Sequence, residues 1–330
     1  MSSPLPDNPA ISFDDVARAA KRIEGHVIRT PVITNPALDE LVGHHVLIKA
    51  ENLQRTGAFK FRGGCNSLMA LDAGQRAAGV VTYSSGNHAR AIATAASIVG
   101  SSSVIVMPQD APPEKVAATA AAGGRVVRYD RYNEDRSEIA SRIAEEEGRI
   151  IIPPYDWPEV MAGQGTAALE LFQQAERVDA LVVCLGGGGF LAGCSTVAAE
   201  LSPDTRLFGV EPVAGDDHLQ SRQRNERVRI DVPRTIADGQ QTVSPGELTW
   251  PINNALVEDF LTVHDEEIIA TMSMLFADMK LVAEPSGASA LAAVLNGRLP
   301  DLEAGSRIAV TISGGNISQE RFAALCMSAP

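Results

Sequence analysis

The chain is poor in cysteine. Among 330 residues only Cys65, Cys184, Cys194 and Cys326 occur, and no two stand in a CxxC pair. That excludes a disulfide framework and a cysteine-built metal centre, and it predicts free thiols in a reducing cytoplasm. Positive charge is also scarce: 28 Lys and Arg stand against 41 Asp and Glu, a net charge of −13. Nucleic acid and anionic membranes are therefore not expected partners. No apolar run approaches the ~18–20 residues of a membrane span. The opening MSSPLPDNPA lacks the basic start and apolar core of a signal peptide. No GK[ST] follows any glycine cluster, which removes a Walker-type nucleotide loop. Internal repeats and low-complexity segments are missing as well.

The chain does contain short β-branched runs alternating with alanine-rich stretches. VLIKAE (46–51), GVVTYSS (79–85), SSVIVMP (102–108), RVVRYD (125–130), RIIIPP (149–154), ALVVCLG (180–186), RLFGVEP (206–212) and RIAVTIS (307–313) read as buried strands. Helix-length segments lie between most of them, so the expected class is α/β with two open, twisted, mostly parallel sheets flanked by helices. The compact block 80–153 is expected to be a smaller, mobile domain, with 1–79 and 154–330 forming the larger one. The polar stretch 214–247 reads as excursion and loop.

Three glycine-containing turns sit at strand ends. LGGGGFLAG (185–193) follows a strand and opens a helix. Four glycines there let backbone N–H groups converge beside a helix N-terminus, which is a phosphate cradle. Gly187, Gly189 and Ala192 also satisfy G-x-G-x-x-A, with Glu211 at a later strand end as a candidate ribose acid, so a dinucleotide-dependent dehydrogenase is a rival. SSGNHARA (84–91) could cap a helix through Ser85 or Asn87, or hold a substrate carboxylate on free N–H groups. His88 has no partner at ligand spacing and reads as structural. TISGGN (311–316) places Ser313 at a strand's carboxyl end.

One lysine does not fit a surface role. In QRTGAFKFRGG (54–64), Lys60 lies between Phe59 and Phe61 among glycines. A semi-apolar setting lowers an amine's pKa and makes it nucleophilic. A buried lysine and a phosphate cradle on one α/β scaffold suit pyridoxal phosphate, whereas a dehydrogenase has no use for Lys60.

GAFKFRG, SSGNHA, MAGQGT (161–166), GGGGFLAG, TIADG (235–239) and TISGGN occur in this order in the type II pyridoxal-phosphate enzymes. The chain resembles their serine racemase and serine/threonine dehydratase family, in the racemase-like branch that includes hydroxyaspartate dehydratases. The resemblance implies the tryptophan synthase β-like fold and a homodimer. It makes Lys60 the cofactor-bearing lysine, with Phe59 packed beside the cofactor. Asn87 bonds the ring hydroxyl, Gly186, Gly187, Gly188 and Gly189 hold the phosphate, Gly239 also binds the cofactor, and Ser313 faces the ring nitrogen. It puts Ser85 opposite Lys60 as a second acid/base, and assigns Ser84, Ser85, Gly86, Asn87, His88, Arg136 and Thr242 to a small amino-acid substrate. In EPVAGDD (211–217) it implies a site for Mg²⁺, or Ca²⁺ or Mn²⁺, held by Glu211, Asp217 and the Gly215 carbonyl. The implied reaction is β-elimination from 3-hydroxyaspartate, serine or threonine to an oxo acid and ammonia, with racemisation as the alternative.

Overall fold

The computed structural model describes residues 8–84, 86–111 and 113–327. In chain order the strands are β1 (Val32–Ile33), β2 (His45–Ala50), β3 (Val80–Tyr83), β4 (Ser103–Pro108), β5 (Gly124–Tyr129), β6 (Ile150–Ile151), β7 (Ala180–Cys184), β8 (Arg206–Pro212), β9 (Asp259–Val263) and β10 (Arg307–Ile312). They form a six-stranded sheet in the order β1-β2-β10-β7-β8-β9 and a four-stranded sheet in the order β5-β4-β3-β6. Every neighbouring pair is parallel except β1 with β2.

Helices cover the sheets, which is why β4 and β7 are buried along their whole length and read as continuous apolar runs rather than alternating ones. The eight strands expected from sequence all form, within a few residues of their expected bounds. β1 and β9 were not expected. β1 has only two residues, and β9 is an edge strand that opens on the exposed Asp259. The stretch 214–247 departs from a plain loop. It contains the helix Asp217–Arg224, polar outside, whose inner side buries Asp217, His218 and Ser221.

The helix Lys60–Ala70 packs against the helices Asn87–Ile98 and Pro158–Gln174. The approach to the second is close enough that a Cβ on Gly163 would lie 2.6 Å from the Cα of Gly63, which gives MAGQGT its packing role. Two residues beyond Lys60, the fully buried Arg62 ties this helix down. Its guanidinium donates to Glu51 at 2.8 Å and to both oxygens of Glu170 at 2.8 Å. Lys49 joins the same cluster through Glu170 at 2.7 Å. Two cations and two carboxylates thus balance, and burial is compensated by charge pairing.

Candidate active site

Three loops leave the carboxyl ends of parallel strands and meet around one cavity of about 140 Å³. They follow β3, β7 and β10, the location at which open α/β sheets bind ligands. Lys60 lies on the wall and Ser313 lines it too; the glycine loop 186–189 contributes another part of the lining.

Phe59 is held in place by its backbone N–H, which donates to the Ser313 carbonyl at 3.0 Å, and by stacking on Phe190 with ring centroids 4.0 Å apart. Lys60 begins the helix that follows. Its Nζ donates to the Pro154 carbonyl at 2.6 Å and lies 5.1 Å from the Phe59 ring centroid. It makes no ion pair among the described residues. Burial lowers its pKa to about 8, only partly opposed by Cys184, so a neutral amine is accessible near neutral pH.

The glycine loop cannot be built from larger residues. Gly188 has φ +96°, in the left-handed region, and a Cβ there would lie 2.6 Å from Asn253 Nδ2. A Cβ on Gly187 would lie 2.4 Å from the Tyr155 ring, and one on Gly189 would lie 2.6 Å from the Tyr155 carbonyl oxygen. The helix Gly189–Leu201 starts inside the loop, so its free N–H groups and positive dipole end point at the cavity. This is a fit for a phosphate, at a separate part of the lining from the amine. Pyridoxal phosphate needs both features.

The remaining sequence-derived residues fall on the same lining. Ser84, Gly86, Asn87, His88, Arg136, Gly186, Gly239 and Thr242 all border the cavity. Ser85 lies outside the described residues. Asn87 donates to Glu284 Oε1 at 2.5 Å and accepts from Asn316 at 2.8 Å. His88 is buried and its Nε2 donates to the Ile152 carbonyl at 3.2 Å. Burial, with the nearby Lys60 charge, pushes its pKa down to about 3 and keeps the ring neutral. The Gly239 N–H donates to Ser286 Oγ at 2.9 Å. Arg136 opens the helix Arg136–Glu147, is exposed, and lies over the Tyr83 ring at 5.4 Å without an ion pair among the described residues.

Sequence reasoning missed Tyr155, Lys115, Asp238 and Glu284. Lys115 pairs with Asp238 across the cavity wall. Burial, then the negative charge of Asp238, raises the Glu284 pKa to about 7. None of these contacts carries a local sequence pattern.

Glu211 lies away from the cavity lining, contrary to a ribose acid. It is fully buried at the end of β8, and its carboxylate accepts the N–H groups of His218 and Leu219 at 3.1 and 3.2 Å. Asp217 lies beside it, and Gly215 closes the short turn between them, also buried. His218, which the sequence reading passed over, completes the cluster. Its Nδ1 lies 3.1 Å from Glu211 and 3.5 Å from Asp217. Asp217 Oδ2 is buried without a hydrogen-bond partner, and one donor atom from each of Glu211, Asp217 and His218 lies within 4.8 Å of the others, a set whose chemistry fits a cation. Thr242 links it to the cavity by donating to Asp217 at 3.4 Å.

Comparison with known proteins agrees with this geometry. The family described as pyridoxal-phosphate dependent enzyme matches residues 23–314. An L-threo-3-hydroxyaspartate ammonia-lyase of Pseudomonas sp is 50% identical over 314 residues, 95% of this chain and 98% of the relative. A serine racemase of Schizosaccharomyces pombe is 49% identical over 312 residues, 94% of this chain and 96% of the relative. The solved structure of maize serine racemase superposes with a TM-score of 0.91 at 38% identity, covering 94% of this chain and 95% of that one. The Lys60 cavity with its glycine cradle and the match over residues 23–314 together place this chain in the pyridoxal-phosphate dependent enzyme family.

Proposed function

We propose that this enzyme is an ammonia-lyase that dehydrates a small β-hydroxy amino acid, with 3-hydroxyaspartate preferred over serine and threonine, giving oxaloacetate and ammonia. The observation that carries the substrate choice is Arg136, a guanidinium without an ion pair among the described residues, on the lining of the Lys60 cavity. Serine and threonine offer one carboxylate and 3-hydroxyaspartate two, and a guanidinium binds a carboxylate with two parallel bonds. The Pseudomonas relative's activity supports the same substrate.

When bound, pyridoxal phosphate supplies an aldehyde for an amine and a ring that draws electrons from the substrate's α-carbon. In this reading Lys60 would hold the cofactor through its amine and, once neutral and free, would take the substrate's α-proton. Gly186 to Gly189, with the helix behind them, hold the phosphate, and Gly239 closes that side. Asn87 would bond the ring hydroxyl and Phe59 would pack beside the ring. Ser313 would present a neutral hydroxyl to the ring nitrogen, which, unlike a carboxylate, would not hold it protonated and would favour elimination over transamination. Ser84, Ser85, Gly86 and Asn87 would hold the α-carboxylate, while Thr242 and Arg136 would bound the substrate's far end.

Oxo-acid release from isomers of 3-hydroxyaspartate, serine and threonine tests this. We expect kcat/KM to be highest for a 3-hydroxyaspartate isomer. Arg136→Ala should lower that value roughly 10- to 100-fold and spare serine more, as loss of a charge-assisted bond costs about 1.5–3 kcal/mol. A preference for threonine, or a preference untouched by Arg136→Ala, overturns the substrate assignment.

Racemisation of serine is the second reading, favoured by the Schizosaccharomyces pombe relative. If Ser85 returns a proton opposite Lys60, Ser85→Ala abolishes racemisation and keeps dehydration of the L-substrate.

Glu211, Asp217 and the Gly215 carbonyl would hold Mg²⁺, Ca²⁺ or Mn²⁺ beside His218, since hard oxygen ligands suit these ions. The ion would neutralise the buried carboxylates and fix the helix 217–224 to β8. A chelator should lower the melting temperature and added cation restore it; an unchanged chelator response in Glu211→Ala and Asp217→Ala counts against these ligands. In the same reading residues 80–153 move as the small lobe against 1–79 and 154–330, and two copies form a cytoplasmic homodimer.

A further inference from the structure

A second cavity of about 240 Å³ adjoins the first and shares Ser84, Arg136, Asp238 and Gln241 with it. Its other charged lining groups are Arg131, Glu134, Asp135 and Arg229. Most of these charges are already engaged. Arg131 pairs with Asp110 at 2.8 Å, and Asp238 pairs with Lys115. Asp135 accepts the N–H groups of Ser137 and Glu138 at the start of the helix Arg136–Glu147, and Glu134 accepts the N–H of Asp130 at 2.6 Å. Arg136 and Arg229 are left. Neither makes an ion pair among the described residues, in a chain whose net charge is −13.

Arg229 also sits on a fixed piece of backbone. The N–H of Val228, which is buried, donates to Ser221 Oγ at 3.0 Å, and the N–H of Ile230 donates to the Val243 carbonyl at 2.8 Å. The backbone that carries this long cationic side chain is thereby anchored on both flanks, on the lining of the cavity that adjoins the active one. Its segment, between the helix Asp217–Arg224 and the turn Asp238–Gln240, belongs to a different part of the chain from Arg136.

We propose that Arg229 is a second specificity-determining residue, and that with Arg136 it receives the side-chain carboxylate of a dicarboxylic amino acid in the adjoining cavity that both residues line. This rests on the dicarboxylate reading given above. An unpaired exposed guanidinium has little to lose in desolvation, and two cations around one carboxylate discriminate against substrates that lack it.

The test is Arg229→Gln in the cofactor-loaded enzyme, with unchanged melting temperature as a check on folding. For 3-hydroxyaspartate, KM should rise roughly five- to tenfold, below the full effect of a buried pair because the site is exposed. The kcat for it, and both constants for L-serine, should stay within about twofold. Succinate, a dicarboxylate that cannot react, should lose inhibitory strength in parallel, and Arg229→Lys should recover part of both losses. Equal losses for serine and 3-hydroxyaspartate, or no change in either KM or succinate inhibition, overturns the assignment. The two levels separate cleanly. If Arg136→Ala removes the preference and Arg229→Gln does not, the dicarboxylate reading stands and the role of Arg229 falls. If the parent enzyme shows no preference for 3-hydroxyaspartate, both fall.

Discussion

Lys49 and Lys60 are both taken largely out of water, yet the fold treats them in opposite ways. Lys49 donates to the Thr30 carbonyl at 2.8 Å, to Glu170 at 2.7 Å and to Gln174 at 2.9 Å, so all three of its protons are used. Lys60 has one carbonyl, at 2.6 Å, and no carboxylate. Burial lowers both pKa values, but Glu170 opposes the shift at Lys49, whereas Lys60 is lowered to about 8. A lysine enclosed with its counter-charge is scaffold. One enclosed without it is suited to be a reagent, because the neutral amine it tends towards is the nucleophile. Arg62 connects the two, since it belongs to the Lys49 cluster and lies on the helix that Lys60 starts.

The largest contrast should come from removing each lysine. Lys60→Ala is expected to cost at least ~10³-fold in turnover, the scale of lost proton transfer and cofactor attachment together. The melting temperature of the cofactor-free protein should hold, because no ion pair is broken. Lys49→Met should do the reverse. Leaving Glu170 short of a buried partner costs about 3 kcal/mol in unfolding free energy, read by urea denaturation, while kcat in the folded protein changes little. Near-parental ammonia release from Lys60→Ala, or equal stability losses in both variants, would erase the distinction.

A smaller effect sharpens it. With the Lys60 pKa at about 8, its amine is mostly protonated below that value and mostly neutral above it. The rate at which cofactor-free protein gains the visible absorbance of lysine-bound pyridoxal phosphate should therefore rise through pH 7–9 with a midpoint near 8. A midpoint near 10.5, the ordinary lysine value, contradicts the lowered pKa.

The lysine distinction was half legible in the sequence. The phenylalanines and glycines around Lys60 mark an enclosed amine that something must approach, and the glycine run after ALVVC marks the cradle. The strands were legible because parallel sheets covered on both faces require unbroken β-branched runs. Lys49 gave no comparable sign, since its partner Glu170 lies 121 positions away. The same holds for Asn87 and Glu284, 197 positions apart. His218 was adjacent to predicted ligands and still missed, because only the turn Val213–Gly215 and the following helix bring its Nδ1 between two carboxylates.

The most direct test of the account is to reduce the loaded enzyme with borohydride, digest it and locate the fixed cofactor by mass spectrometry. Two lysines line the cavity, Lys60 without a counter-charge and Lys115 paired with Asp238. A pyridoxyl adduct is expected on the peptide containing Lys60 and none on the peptide containing Lys115. An adduct on Lys115, or no adduct on either, would contradict it.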